Sequence, residues 1–424
     1  MSDVGLLLGV FSFLLLAGVS CANSMLLASL VSIWVTGFPV TMTADNMLGA
    51  INSFTLLAVP FFILAGVIMN RAGLTARLID VSRAFVGHFH GGTAQVNVVA
   101  SMFFSGISGS ASADAAAIGS MLIPTMKREG YDPGFAAGVT ASAATMGPII
   151  PPSIVMVIYG SITNLSIGAL FLAGILPGIL IGVTLMLMVA YMSRRRGYPR
   201  APRVGWTDRL RAIGAALPAV LAPVIILGGM FSGVATATEA GVIACVYGLF
   251  VGFFVYRDLR LADMPSLLAD AVEMTAVPMY ILATSSVFGF MLTAHGLGFM
   301  IGDFLSGITQ DPLTFLLIIV ALLTVVGIFL DGIAALLIVV PVFAPLVDVY
   351  HVDPLQFALI VIMTIMIGTV TPPVGMQLYI AAAIARIPIG RVVAWPFCWA
   401  MTGAVVILCF VPQLATFLPR LLLP

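Results

Sequence analysis

Charge is scarce in this sequence. Only 8% of the 424 residues are Asp, Glu, Lys or Arg, and the formal net charge is zero. A chain this poor in charge cannot cover a soluble surface, and without a basic excess it offers no electrostatic footprint for nucleic acid. Cysteine is scarce as well. Cys21, Cys245, Cys398 and Cys409 stand apart, without CxxC or Cys/His spacing, and read as small buried hydrophobes. The glycine-rich stretch Gly87–Gly92 lacks the Gly-Lys-Ser/Thr of a phosphate-binding loop, so no nucleotide site is implied. His88 and His90 flank it with no further ligand nearby. No Lys or Arg precedes Arg71, so the first apolar run, Val4–Val19, lacks the basic flank of a signal peptide and reads as a retained span.

Apolar sequence is abundant: 61% of residues are hydrophobic, and the mean hydropathy is +1.18. Apolar runs of about 17–25 residues mark membrane-crossing helices rather than barrel strands. The predicted fold class is an all-α polytopic membrane protein.

Taken in order, Val4–Ser20 and Met25–Val40 are two spans with a turn at Asn23-Ser24, and Thr41–Ser53 is an interfacial piece. Phe54–Met69 crosses, and the amphipathic Leu74–Phe89 sets Leu74, Leu78, Ile79 and Phe85 against Arg71, Arg77, Asp80 and Arg83, as an in-plane helix would. Residues 93–127 carry no charge but Asp114 before Lys127, and their midpoint, Gly106–Ser110, is poor helix; a re-entrant hairpin fits. Residues 131–162 form a span broken at Gly147–Ser153, and Ile167–Met192 completes the first half, 1–193. A basic stretch, 194–212, links it to a second half, 213–424, that repeats the order. There Leu217–Phe231, Glu239–Tyr256 and Ala276–Ala294 cross, with a polar interfacial piece at Leu259–Glu273 and another in-plane helix at Gly296–Gly307. A hairpin over 312–348 is interrupted at Asp331-Gly332, a span over 354–385 is broken at Gly368–Gly375, and Val392–Leu418 is the last span.

Basic residues set the orientation. With both termini outside and each hairpin returning to its own side, 16 of the 17 Lys and Arg fall inside and only Arg420 outside. Five crossings per half, an odd number, make the second half an inverted repeat of the first.

Backbone that leaves its helix at membrane depth survives only where protein buries it or water reaches it. Inverted repeats with broken helices are the mark of a secondary transporter with its site near the midplane. Half-helix N-termini there attract anions, and unwound turns expose carbonyl oxygens suited to Na⁺. Ser108, Ser110 and Ser112 add hydroxyls in one half, Thr369 and Thr371 in the other. Asp114 and Asp331 are the acidic residues within the two hairpins, where a carboxylate is either functional or a helix cap. Glu239 starts a span, in a helix-terminus position.

These residues resemble a known family, the large membrane subunit of tripartite ATP-independent periplasmic (TRAP) transporters. The likeness runs along essentially the whole chain and is strongest in Ser105–Met126, Ala144–Tyr159, Thr238–Gly241, Phe329–Pro345 and Gly368–Ala383. It implies an elevator-type, Na⁺-driven permease, not an enzyme, for organic acids such as sialic acids or C4-dicarboxylates. It also implies a bacterial inner membrane, a separate four-helix small membrane subunit and a periplasmic substrate-binding protein. Carried onto this sequence, one Na⁺ site involves Ser108, Ser110, Asp114, Gly147 and Ser153, and another Gly327, Asp331, Gly332, Gly368, Thr369, Thr371 and Gly375. Substrate would lie against Ser108, Gly109, Ser110, Pro151, Pro152, Thr371, Pro372 and Pro373. Two rivals remain: a stand-alone Na⁺/organic-anion symporter of the same superfamily, and an intramembrane aspartyl protease with Asp114 and Asp331 as its dyad.

Overall fold

The computed structural model describes residues 3–423, and among these every regular element is a helix. The first half holds α1 (Asp3–Leu16), α2 (Cys21–Thr36), α3 (Thr41–Ile51), α4 (Ala58–Arg71) and α5 (Leu74–Val86). They are followed by α6 (Gly92–Ser108), α7 (Ala111–Arg128), α8 (Pro133–Ala144), α9 (Ile154–Thr163) and α10 (Ile167–Arg196). The second half holds α11 (Trp206–Phe231), α12 (Ala237–Phe250), α13 (Met264–Ala294), α14 (Leu297–Ile308) and α15 (Pro312–Phe329). It ends with α16 (Gly332–Phe343), α17 (Leu346–Val349), α18 (Pro354–Gly368), α19 (Met376–Ala385), α20 (Trp395–Phe410) and α21 (Gln413–Leu422). Five helices are individually long and apolar enough to cross a membrane, and two bent pairs qualify if each counts as one span.

Two helices form the centre. Every residue of α8 from Gly134 to Ala144 is buried, and so is every residue of α18 from Gln356 to Gly368. A helix apolar all round must be enclosed by others. Both begin in the same way. Asp132 accepts a bond from Phe135 N at 2.9 Å, Asp353 from Leu355 N at 2.9 Å, and a proline follows each as the first helical residue. That pairing satisfies an orphan N–H and spends proline where no N–H is missed. Small residues then permit close crossings. At Gly327 an added Cβ would lie 2.6 Å from Ile365 O and 3.0 Å from Gly368 Cα, so α15 and α18 meet backbone to backbone.

The sequence-predicted elements need correction at several places. The turn between the first two helices lies at Ala17–Val19, where Gly18 takes φ +86°, and Asn23 and Ser24 sit in the first turn of α2. Phe85 of α5 is exposed, although Leu74, Leu78 and Ile79 are buried. The first hairpin turns on two residues, Gly109 and Ser110, because α6 continues through Gly106. Helix enters both ends of the basic stretch 194–212, with α10 running through Arg194–Arg196 and α11 starting at Trp206, and residues 197–205 between them are the non-helical connection. Arginine is a good helix former, and cations at a helix C-terminus complement its dipole. Leu259–Glu273 is not a separate interfacial piece, since α13 continues without a break from Met264 to Ala294. The last predicted span is instead α20 and α21, bent by 61° at Val411-Pro412.

Candidate functional site

The two interruptions expected at depth are both present, and each presses against a hairpin tip. In the first, α8 ends at Ala144 and α9 restarts at Ile154, capped by Ser153, whose hydroxyl accepts from Met156 N at 3.2 Å and donates to Pro148 O at 2.7 Å. Gly109, at φ +61°, turns the hairpin against this break: a Cβ there would lie 2.8 Å from Pro152 O and 3.1 Å from Ile154 N. Only glycine meets both demands. Helix α4 closes the other side, with Gly66 at the Cα of Ser108.

Asp114 stands behind this tip, fully buried. Ser105 Oγ donates to its Oδ2 at 2.9 Å and Ser108 Oγ donates to its Oδ1. No Lys, Arg or His pairs with it among the described residues. A buried carboxylate without a counter-ion is costly in its charged form.

The second break, Thr369–Gly375, separates α18 from α19. Gly375, at φ +52°, lies against the carbonyl oxygens of Thr369 and Thr371. Thr371 Oγ1 donates to Ile367 O at 2.8 Å and Thr369 Oγ1 to Met366 O at 2.7 Å. Gly332 packs on the Met366 side chain and Gly375 N bonds Ile328 O at 3.3 Å, so the second hairpin and second break are joined as the first pair is. Asp331 differs from Asp114. It caps α16, accepting from Ile333 N at 3.1 Å.

Between the two tips lies a cavity of about 830 Å³. Of the residues singled out in the sequence, Ser108, Gly109, Ser110, Ser112, Asp331, Gly332 and Thr369 line it. Asp114, Gly147, Pro151, Pro152, Ser153, Gly327, Gly368, Thr371, Pro372, Pro373 and Gly375 are not among its lining residues. Of these, Gly147, Pro152 and Ser153 pack against the first hairpin, and Gly368 and Gly375 against the end of α15. The lining also includes residues that the sequence reading passed over: Asn70 and Arg71 from α4, Asp270 and Glu273 from α13, and Gln377 from α19. The first four lie in polar stretches that read as interface. Gln377 could have been noticed as a lone amide just past a break in an apolar span. It is 3% exposed, and its Oε1 has no hydrogen-bond partner among the described residues.

The lining is buried at the tips, at Ile63, Phe104, Ser108 and Thr369, and exposed at Arg71, Ser120, Glu273 and Met274. The exposed part of the lining thus includes the end of α4, the middle of α7 and the first half of α13.

The family model for the DctM component of tripartite ATP-independent periplasmic transporters matches residues 8–414. Over 97% of both chains, the sequence is 38% identical to the sialic acid TRAP transporter large permease protein SiaM of Vibrio cholerae. It is 39% identical to the C4-dicarboxylate TRAP transporter large permease protein DctM of Pseudomonas aeruginosa, over 87% of this chain and 86% of that one. The fold is similar to that of the Alcanivorax borkumensis YdaH transporter, with a TM-score of 0.64 at 15% identity over 88% of each chain. These relatives are transport proteins, not enzymes. The chain is a multi-pass membrane protein and belongs to the TRAP transporter family as its large permease component.

Proposed function

We propose that this chain is the permease of a Na⁺-coupled uptake system for an organic acid of the sialic acid or C4-dicarboxylate class. The observation that carries this reading is the pairing of each hairpin tip with a helix break around one cavity, at the size of a small-molecule site, roughly 300–1,000 Å³. Two half-helix N-termini, those of α7 and α16, begin at that cavity and favour an anion there. On this reading 1–193 and 213–424 are inverted repeats, the hairpins re-entrant, and hairpins and broken helices travel together as an elevator. Na⁺ is co-transported cargo. Carbonyl oxygens freed at the breaks, with the Ser and Thr hydroxyls, are the hard oxygen donors it requires.

The small membrane subunit and the periplasmic binding protein complete the system in the bacterial inner membrane, both termini of this chain facing the periplasm. Uptake by proteoliposomes holding the permease and small subunit, with binding protein added outside, is expected to need an inward Na⁺ gradient. Uptake indifferent to Na⁺ would overturn the coupling. Uptake by this chain alone would favour a stand-alone symporter.

A further inference from the structure

Among the described residues that line the cavity, Arg71 is the one cation, against the three carboxylates of Asp270, Glu273 and Asp331. Both terminal nitrogens of its guanidinium are held by α13. One donates to Ser266 Oγ at 3.1 Å, the other to Asp270 Oδ2 at 2.5 Å. Ser266 and Asp270 stand one turn apart on the same face of that helix. Glu273, a turn further into the cavity, has no ion-pair partner among the described residues.

The pair is wet. The side chains of Arg71 and Asp270 are 38% and 47% exposed. An ion pair reached by water contributes little to stability, so a second carboxylate can exchange with the first at small cost. Arg71 is also placed within reach of the tip. Gly66 touches Ser108, and Arg71 lies five residues further along α4, about 8 Å at 1.5 Å per residue. That is the length of a small organic acid. Its planar fork suits a carboxylate better than a lysine ammonium would.

We propose that Arg71 is the substrate's carboxylate-recognising residue, held by Asp270 while the cavity is empty and exchanging it for the substrate's carboxylate. The inference rests on the organic-acid reading of the cavity. Cargo anchored at the Ser108–Ser110 tip meets Arg71 with its acidic end. When the cargo leaves, Asp270 retakes the guanidinium, so the empty cavity does not hold a free cation that would retain the product.

The test uses the whole assembly in proteoliposomes, with sialic acid and succinate as probes. R71K and R71Q are expected to lower kcat/KM by about tenfold or more, the worth of one charge-assisted contact. R71D combined with D270R rebuilds the pair with its charges exchanged. A pair that only ties α4 to α13 would regain uptake in that variant, which would overturn the inference. Uptake still lost, in a variant whose thermal melting matches the unaltered assembly, supports it. If the exchanged pair does not fold, D270N is expected to lower KM while R71K raises it, and equal losses in both overturn the role. If the unaltered assembly transports neither probe, the organic-acid reading fails and this inference falls with it.

Discussion

Gly147 lies against Asp114 so closely that a Cβ on the glycine would come within 2.8 Å of the carboxylate Oδ2. The same Cβ would meet the carbonyl carbon and oxygen of Ser110 at 3.0 and 3.1 Å. The first break and the first hairpin tip are thus a single packed unit, with glycine where the two chain segments touch. The Gly147→Ala variant is expected to lose about 1–3 kcal/mol, the usual cost of overpacking, and to melt at a lower temperature. It should also lower uptake. A variant with unaltered melting would mean that tip and break part easily.

Ser105 and Ser108 each donate to one oxygen of Asp114. Removing both hydroxyls leaves a buried carboxyl unsatisfied, at a cost of about 1–3 kcal/mol for each lost partner. The Asp114→Asn variant keeps the shape but not the charge. If Asp114 takes part in Na⁺ coupling, Asp114→Asn should shift the Na⁺ dependence of uptake well beyond any change in melting. Unchanged Na⁺ dependence would leave Asp114 as a structural anchor.

Asp331 should behave otherwise, since its carboxylate bonds the start of α16. Asp331→Asn and Asp331→Ser, both good caps, should keep most of the stability, whereas Asp331→Ala should lose about 0.5–2 kcal/mol. Uptake falling equally in all three, with melting preserved in the first two, would point to the carboxylate as a cavity group.

Gln377 offers a sharper separation of stability from transport. The residue lines the cavity, while its buried Oε1 has no partner among the described residues. Gln377→Met removes a stranded acceptor at similar volume and is expected to leave melting unchanged or raise it, by up to about 1 kcal/mol. Uptake should fall if the amide serves the cargo. Higher melting with full uptake would make it only an imperfectly satisfied core residue.

Much of this molecule is legible in its sequence because the bilayer imposes strict rules. Helix-poor residues in apolar runs mark the hairpin and break positions, and Gly109, Pro148, Ser153 and Asp331 fall where those runs are interrupted. Continuity was harder to read. Asp270 and Glu273 made the start of α13 look interfacial, yet these side chains line a cavity, so the helix runs on through them. A polar residue in a span does not show whether it meets headgroups or an internal cavity. The turn before α2 is hidden in the sequence for a related reason. Asn23-Ser24 has turn composition, but Gly18 takes the left-handed backbone that the turn requires.

By itself the sequence determined that this is a helical membrane protein, which segments are apolar, and where helices are interrupted. Those are local matters of hydropathy and backbone preference. Which interrupted segments meet, and what shares their cavity, was decided only by tertiary packing. Asp114 and Asp331 look alike in sequence, each a carboxylate within an apolar hairpin, yet one is sealed behind a tip by two serines and the other caps a helix at the cavity wall. Arg71 was an interfacial charge until α13 folded against α4 and placed Asp270 within 2.5 Å of it. Such contacts join residues nearly 200 positions apart, and no local pattern encodes them.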